Sequence, residues 1–414
     1  MPQKKALESV VRVEVQGVCP DRFRPVHATL EKNLNDGSDI GASAAVFIDG
    51  EPVVDVWGGF VDAARTLPWT RDTIVNTFST TKTMTALCAL VLADRGALDL
   101  HAPVAKYWPE FAAAGKGAIE VRHLLGHTAG VAGWEAPMTI ADILDRERAT
   151  ALLAGQAPWW EPGKAVGYHA ITFGHLVGEV VRRVSGKTLG RFFAEEVAAP
   201  LGADYHIGTG PDCDERVSPM IQSSPILDRS GDNSIRDRVF FNPYVTPQIA
   251  STVAWRRGEL GGSNGHGNAR SVAAVQSVLS NGGQARGARL LSKAGCEKAL
   301  EPQFEGVDLV AGFPLRWGMG FGLASPLVAQ LYGPALADRR IAFWGGSGGS
   351  FVMNDLDARM TVAFVMNKHI ENGGIDMRGV EIVRAAYEGL LGVAQTGAQD
   401  APSFLTAPPA NEAR

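Results

Sequence analysis

Two periods of hydrophobic spacing divide this chain. Apolar residues recur every three or four positions from Phe23 to Leu34, which predicts an amphipathic helix. Two β-rich runs, Ala42 to Ile48 and Pro52 to Gly58, then flank Asp49-Gly50, the signature of a hairpin on a tight turn. After Ser79 the pattern becomes apolar almost all round. Met84, Leu87, Cys88, Val91 and Leu92 predict a buried helix that stops near Asp94-Arg95-Gly96, with Gly96 as the left-handed cap. Periodicity lapses from Leu98 to Gly133, and helical spacing returns at Ile140 to Ala154, Thr172 to Ser185 and Leu189 to Val197.

Between Gly202 and Gly261 the period is lost again, among Pro211, Pro219, Pro225, Pro243 and Pro247. A loop of that length in a compact protein covers a site or lacks structure, and Phe240, Phe241, Tyr244 and Trp255 favour a covering wall. A helix follows at Ala269 to Ser280. Strands then occupy Arg340 to Trp344, Ser350 to Asn354 and, after a turn at Asp355-Leu356-Asp357, Met360 to Met366. The last helix is Asp376 to Leu391, and the Ala-, Pro- and Gly-rich stretch 394–414 reads as a disordered tail. Strands at both ends with helices between them predict an α/β (α+β) fold. Residues 1–110 and 262–393 would build an antiparallel sheet flanked by helices, and 111–261 an inserted, mostly helical domain with its long loop over the site.

Charge and composition narrow the partners. A net charge of −5 leaves no basic footprint for nucleic acid. No run approaches the roughly 18 to 20 apolar residues of a membrane span, so no membrane is expected. Glu8, Arg12 and Glu14 interrupt the stretch where a signal peptide needs an apolar core, which points to a cytoplasmic protein. Cys19, Cys88, Cys213 and Cys296 are far apart, with no Cys-x-x-Cys, and suggest neither a disulfide framework nor a zinc site. His123 and His127 lack the intervening Glu of a zinc-protease helix, and Gly126 and Gly130 make that stretch a poor helix. Neither metal nor cofactor is expected. Oligomeric state cannot be read from the residues.

The chemistry concentrates at Ser79-Thr80-Thr81-Lys82. Residues three apart on a helix share a face, so the Lys82 amine can reach the Ser79 hydroxyl. A serine attacks a carbonyl only when something takes its proton, and a Lys in an apolar setting loses its charge readily enough to do so. The plain structural alternative is a helix cap followed by a solvated Lys. The apolar face beyond Lys82 argues for burial instead. Tyr168, in Gly167-Tyr168-His169-Ala170 before a helix, is a second proton carrier or else an interfacial ring bonded through its OH. Phe343-Trp344-Gly345-Gly346-Ser347-Gly348-Gly349-Ser350 is a strand that lets a ligand approach its backbone, or a Gly-rich turn.

In this order, Ser79-Thr80-Thr81-Lys82, Tyr168-His169-Ala170 and Trp344-Gly345-Gly346 resemble the serine β-lactamase and penicillin-binding-protein superfamily and, within it, the family VIII carboxylesterases. Val121 to Gly130, Glu161-Pro162-Gly163 and Asn281-Gly282-Gly283 look like the same family, so the similarity runs from about Gly41 to Asn367. The resemblance implies a β-lactamase/transpeptidase-like fold with Ser79 as the acylated nucleophile. Lys82 and Tyr168 would share the base and acid work, the backbone N–H groups of Ser79 and Ser347 would form the oxyanion hole, and the substrate would be a small ester. Trp344, Gly345, Gly346, Trp160 and Phe241 are the candidate substrate-binding residues.

Departures from the β-lactamase pattern sharpen that expectation. Those enzymes carry Tyr-x-Asn and Lys-Thr-Gly, whereas here Ala170 stands for the Asn and Trp344 for the Lys. Without that cation the carboxylate common to β-lactams has no obvious partner, a loss of roughly one to a few kcal/mol that suits neutral esters better. An amide hydrolase of the β-lactamase or D-amino-acid peptidase type and a non-catalytic relative are the alternatives. Gly345-Gly346-Ser347-Gly348-Gly349 and Gly261-Gly262-Ser263-Asn264-Gly265 also match Gly-x-Ser-x-Gly, the elbow of α/β-hydrolases. That elbow needs a strand, a sharp turn and a helix. Ser347 is followed by a strand and Ser263 is not preceded by one. The late His could only be His369, so both matches are taken as chance products of 48 glycines.

Overall fold

The computed structural model describes residues 12–223, 234–370 and 375–392. Its main sheet has nine strands: β1 (Gln16–Val18), β2 (Gly41–Ile48), β3 (Glu51–Gly59), β4 (Phe304–Val307), β5 (Pro314–Trp317), β6 (Gly322–Leu323), β7 (Ile341–Gly345), β8 (Phe351–Asp355) and β9 (Met360–Met366). Their order is β1-β3-β2-β9-β8-β7-β6-β5-β4, and every neighbouring pair is antiparallel. The β2–β3 hairpin turns at Asp49 (φ 55°) and Gly50 (φ 80°), two left-handed residues in succession, as a two-residue turn of this hand requires. Strands from the first and last thirds of the chain meet where Ala42 to Ile48 pairs with Met360 to Met366.

Helices α1 (Arg24–Asn35), α4 (Ala269–Ser280) and α5 (Met377–Leu391) pack on this sheet. All of β9, and β2 up to Phe47, is buried, so both faces are covered; this is why these strands read as continuous apolar runs without alternation. Helix α2 (Thr81–Asp94) is buried at every residue from Thr81 to Ala93 and packs against α3 (Thr172–Ser185). A helix apolar on all sides belongs in the middle of the molecule, and the first turn of α2 is therefore held rigidly. The four-stranded sheet of Ile74–Asn76, His206–Ile207, Val217–Ser218 and Gly265–Gly267 leads the chain into that turn.

Four departures from expectation have local causes. The helix expected over Ile140 to Ala154 is two, Ile140–Leu144 and Arg146–Gly155, because Asp145 leaves helical geometry and caps the second by accepting the Arg148 N–H at 3.1 Å. The one expected to Val197 loosens into a π-helical turn at Ala194–Ala198. The long loop holds short helices at Ile235–Phe240, Pro247–Ala250 and Val253–Arg257, while 224–233 and the tail at 394–414 lie outside the described residues. Strands β4 to β6 and the helix Pro326–Tyr332 were not foreseen, since Pro314, Gly318 and Gly320 break any strand pattern there. Among the described residues no helix is long and apolar enough to cross a membrane.

Candidate active site

Ser79 lies in the tight turn that opens α2. The turn is anchored by the Thr77 N–H on the Gly265 carbonyl at 2.8 Å, and Phe78 takes the left-handed φ of 42°, a strained value for a ring-bearing residue. Such strain persists only where the surroundings over-determine the backbone, and it concentrates where chemistry is done. One turn on, the Lys82 side chain is 1% exposed. Its Nζ reaches the Ser79 hydroxyl oxygen at 3.2 Å, the Ala170 carbonyl at 2.7 Å and the Gly262 carbonyl at 2.8 Å. Burial holds the amine's pKa well below its ordinary value. A neutral amine has two N–H bonds and one lone pair. An ammonium would donate to all three oxygens, whereas in the neutral form the two carbonyls take the N–H bonds and the lone pair faces Ser79.

Tyr168 comes from the loop that precedes α3. Its N–H donates to Asp308 Oδ1 at 3.0 Å, and the same oxygen accepts from Val310 and Ala311 at 2.8 and 2.9 Å. The ring packs against His127 (5.1 Å between centroids) and stacks on Trp317 (6.0 Å), and the Lys82 Nζ sits 4.7 Å above it. The phenol hydrogen-bonds Ser79 and accepts the Trp344 indole N–H at 3.2 Å. Burial raises its pKa, against the smaller opposing pull of those two bonds. Trp344 therefore gives the phenol a neutral donor.

The strand β7 and the turn after it close the third side. A Cβ at Gly346 would stand 2.2 Å from the Thr77 carbonyl oxygen, so glycine is what lets this strand lie against the Ser79 turn. Ser350 joins the two: its hydroxyl donates to the Thr77 carbonyl at 2.7 Å and lies 2.9 Å from Thr80 Oγ1. Neither the Ser79 nor the Ser347 backbone N–H has an acceptor among the described residues. Ser347, expected from sequence to lend its backbone N–H to an oxyanion and also the central Ser of a Gly-x-Ser-x-Gly match taken as chance, has its Oγ 2.9 Å from His369 Nε2.

Ser79, Tyr168, Trp344, Gly345, Gly346 and Ser347 line one cavity of about 300 Å³, with Phe240, Phe313 and Leu331 among its apolar walls. That size is at the small end for ligand sites. Two of the candidate substrate-binding residues are not among those lining this cavity. Trp160 packs against Gly167 and His169, and Phe241 packs its ring on the cavity-lining Tyr244 (5.0 Å between rings). The neighbouring Phe240 does line it. Sequence reasoning missed the two carbonyls on Lys82 and the Asp308 brace under Tyr168. Main-chain oxygens carry no sequence signal, and Asp308 is an isolated acid in an unpatterned stretch.

The beta-lactamase family model matches residues 27–386. LipL of Mycobacterium tuberculosis, described as an esterase/beta-lactamase, is 37% identical over 265 residues, and that alignment spans 61% of this chain and 61% of LipL, less than two thirds of the relative. Esterase EstB of Burkholderia gladioli is 30% identical over 192 residues, 42% of this chain and 48% of that one. A crystal structure of a family VIII carboxylesterase superposes with a TM-score of 0.85 at 43% identity, covering 91% of this chain and 100% of that one. A penicillin-binding protein homologue from Caulobacter crescentus superposes with a TM-score of 0.84 at 37% identity, covering 91% and 99%.

Proposed function

The chain belongs to the beta-lactamase family, and from that premise we propose that it is a serine carboxylesterase that hydrolyses small, neutral esters through an acyl-enzyme at Ser79. The observation that carries this reading is the buried Lys82 amine, 3.2 Å from the Ser79 hydroxyl with both N–H bonds already engaged. Ser79 Oγ attacks the ester carbonyl while its proton passes to the Lys82 lone pair. The N–H groups of Ser79 and Ser347 take the negative charge that develops on the carbonyl oxygen, a contribution of about 3 to 4 kcal/mol per donor in enzymes of this type. Tyr168, bonded to Ser79, returns a proton to the departing alkoxide, and the alcohol leaves. Water, deprotonated by the same pair, then attacks the acyl carbon and releases the acid.

Similarity to an esterase/beta-lactamase, to EstB and to a family VIII carboxylesterase supports the ester class. The choice of neutral esters over β-lactams rests on Trp344, which meets Tyr168 with an uncharged N–H. Hydrolysis of p-nitrophenyl acetate and butyrate, with mass mapping of the residue phosphonylated by a fluorophosphonate, tests the reading. Label on Ser79 and loss of activity in Ser79→Ala are expected; full activity in that variant would exclude it. Nitrocefin turnover as fast as ester turnover would favour the β-lactam class.

A further inference from the structure

The turn at 346–350 is held by two side chains that no step above employs, one of which, His369, also lines the cavity. His369 Nε2 lies 2.9 Å from the Ser347 hydroxyl, and the Arg378 guanidinium donates to the Gly348 carbonyl at 2.6 Å. Arg378 is itself buried and fixed, bonded to Asp39 Oδ1 at 2.6 Å and to Asp376. These groups stand so close that a Cβ at Gly348 would meet the His369 ring at 2.4 Å, and one at Gly349 would meet both Arg378 and Asp376 at 2.6 Å. Gly346, Gly348 and Gly349 are thus explained by close packing on both sides.

The proton on the imidazole can be assigned. His369 is 5% exposed and burial pushes its pKa down to about 4, so the ring is neutral near pH 7 and carries one proton. Its Nδ1 is buried and meets only its own main-chain carbonyl, without hydrogen-bond geometry, and that carbonyl already accepts the Ser223 N–H and hydroxyl. A buried N–H without an acceptor is the rarer and costlier defect. We assign the proton to Nε2, which then donates to Ser347 Oγ. Ser347 is exposed to the cavity, and its own hydroxyl proton is left free.

We infer that His369 is a positioning residue for the hydrolysis: by donating to the Ser347 hydroxyl, with Arg378 holding the next carbonyl, it fixes Ser347 so that its backbone N–H and its hydroxyl proton both face the substrate. The inference rests on the esterase reading. It assigns His369 no part as a base, because Nε2 is spent as a donor. Ser347 is then the second grip on an uncharged ester oxygen, and not a second nucleophile.

The test is a double-mutant cycle on p-nitrophenyl butyrate with Ser347→Ala, His369→Ala and the double variant, together with His369→Gln, whose amide can still donate. Each alanine variant is expected to lose about 10- to 100-fold in kcat, the range expected for a misplaced catalytic donor, with KM and Tm close to the parent. The double variant is expected to be no worse than the poorer single, and His369→Gln to recover part of the loss. Losses that multiply in the double variant, an unchanged kcat in His369→Ala, or a kcat loss that tracks a fall in Tm would overturn the inference. Fluorophosphonate mapping is run alongside on the unmutated enzyme. Label on Ser347 would overturn the Ser79 reading itself, whereas label on Ser79 with a flat cycle would overturn only the role of His369.

Discussion

Replacing Tyr168 by Phe removes one oxygen and leaves the ring that the fold uses. The contacts with His127 (5.1 Å) and Trp317 (6.0 Å) are ring contacts and survive. What is lost is the acceptor for the Trp344 N–H at 3.2 Å and the bond to Ser79. Trp344 is only partly buried, so its orphaned N–H costs about 1 kcal/mol, which in a chain this long shifts Tm by no more than about 2 to 4 °C. Catalysis loses its carrier to the leaving group, a contribution of about 10² to 10⁴ in rate, or about 2.7 to 5.5 kcal/mol of barrier. The two effects differ in size enough to be separated. Steady-state kcat/KM on p-nitrophenyl acetate, with thermal unfolding of the same samples, should show activity lost by at least 100-fold in a protein that melts within a few degrees of the parent. A Tyr168→Phe variant within about threefold of parental kcat/KM would refute the proton-carrier argument. An equally inactive variant that melts far lower would show that the phenol's role is structural.

Lys82→Met should abolish most activity, by about 10² to 10⁴. Since burial lowers the amine's pKa and the neutral form is the base, parental kcat/KM should be full above that lowered pKa and fall as pH drops through it; a flat acid limb would contradict the assignment. Gly349→Ala forces a Cβ against Arg378 and Asp376 at a φ of 130°, and should destabilise by about 1 to 3 kcal/mol or more, read as a lower urea midpoint; an unchanged midpoint would mean that the turn yields easily. Buried His169, His266 and His369 each have their pKa pushed down by burial to about 4, from 6.5. The unfolded chain therefore binds more protons between those values, so stability should be complete above pH 6.5 and drain away as pH falls towards 4. Urea midpoints that do not move between pH 7.5 and 5 would count against three neutral buried imidazoles.

Much of the molecule could be read from its residues because it is built from strong local signals. The stretches Thr172–Ser185, Ala269–Ser280 and Met360–Met366 were bounded to the residue by apolar spacing and flanking turn residues. Ser79, Lys82 and Tyr168, which the structure brings together, stood out because the chemistry proposed for them is open to few residue types. The short edge strands from Phe304 to Leu323 were not, since two to four residues broken by Pro and Gly carry too little pattern. That Phe240 lines the cavity was not legible, because a loop without period does not say which of two adjacent rings turns inward. The Ser347–His369 contact was discounted for want of a helix after Ser347; that rule holds for an elbow but says nothing against a hydrogen bond made across a turn.

The pairing of β2 with β9 has a consequence for how the molecule comes into being. The Gly41 N–H is bonded to the Asn367 side chain, 326 residues downstream, and seven successive rungs join the same two segments. As the polypeptide emerges from the ribosome, the early hairpin waits with one row of peptide groups unpaired until Met360 to Met366 has been synthesised. Contacts this distant close slowly, and an open strand invites the wrong neighbour meanwhile. A nascent chain halted before Met360 would thus hold Ser79 without the strand that completes its sheet, and its exposed edge would need shielding in the meantime.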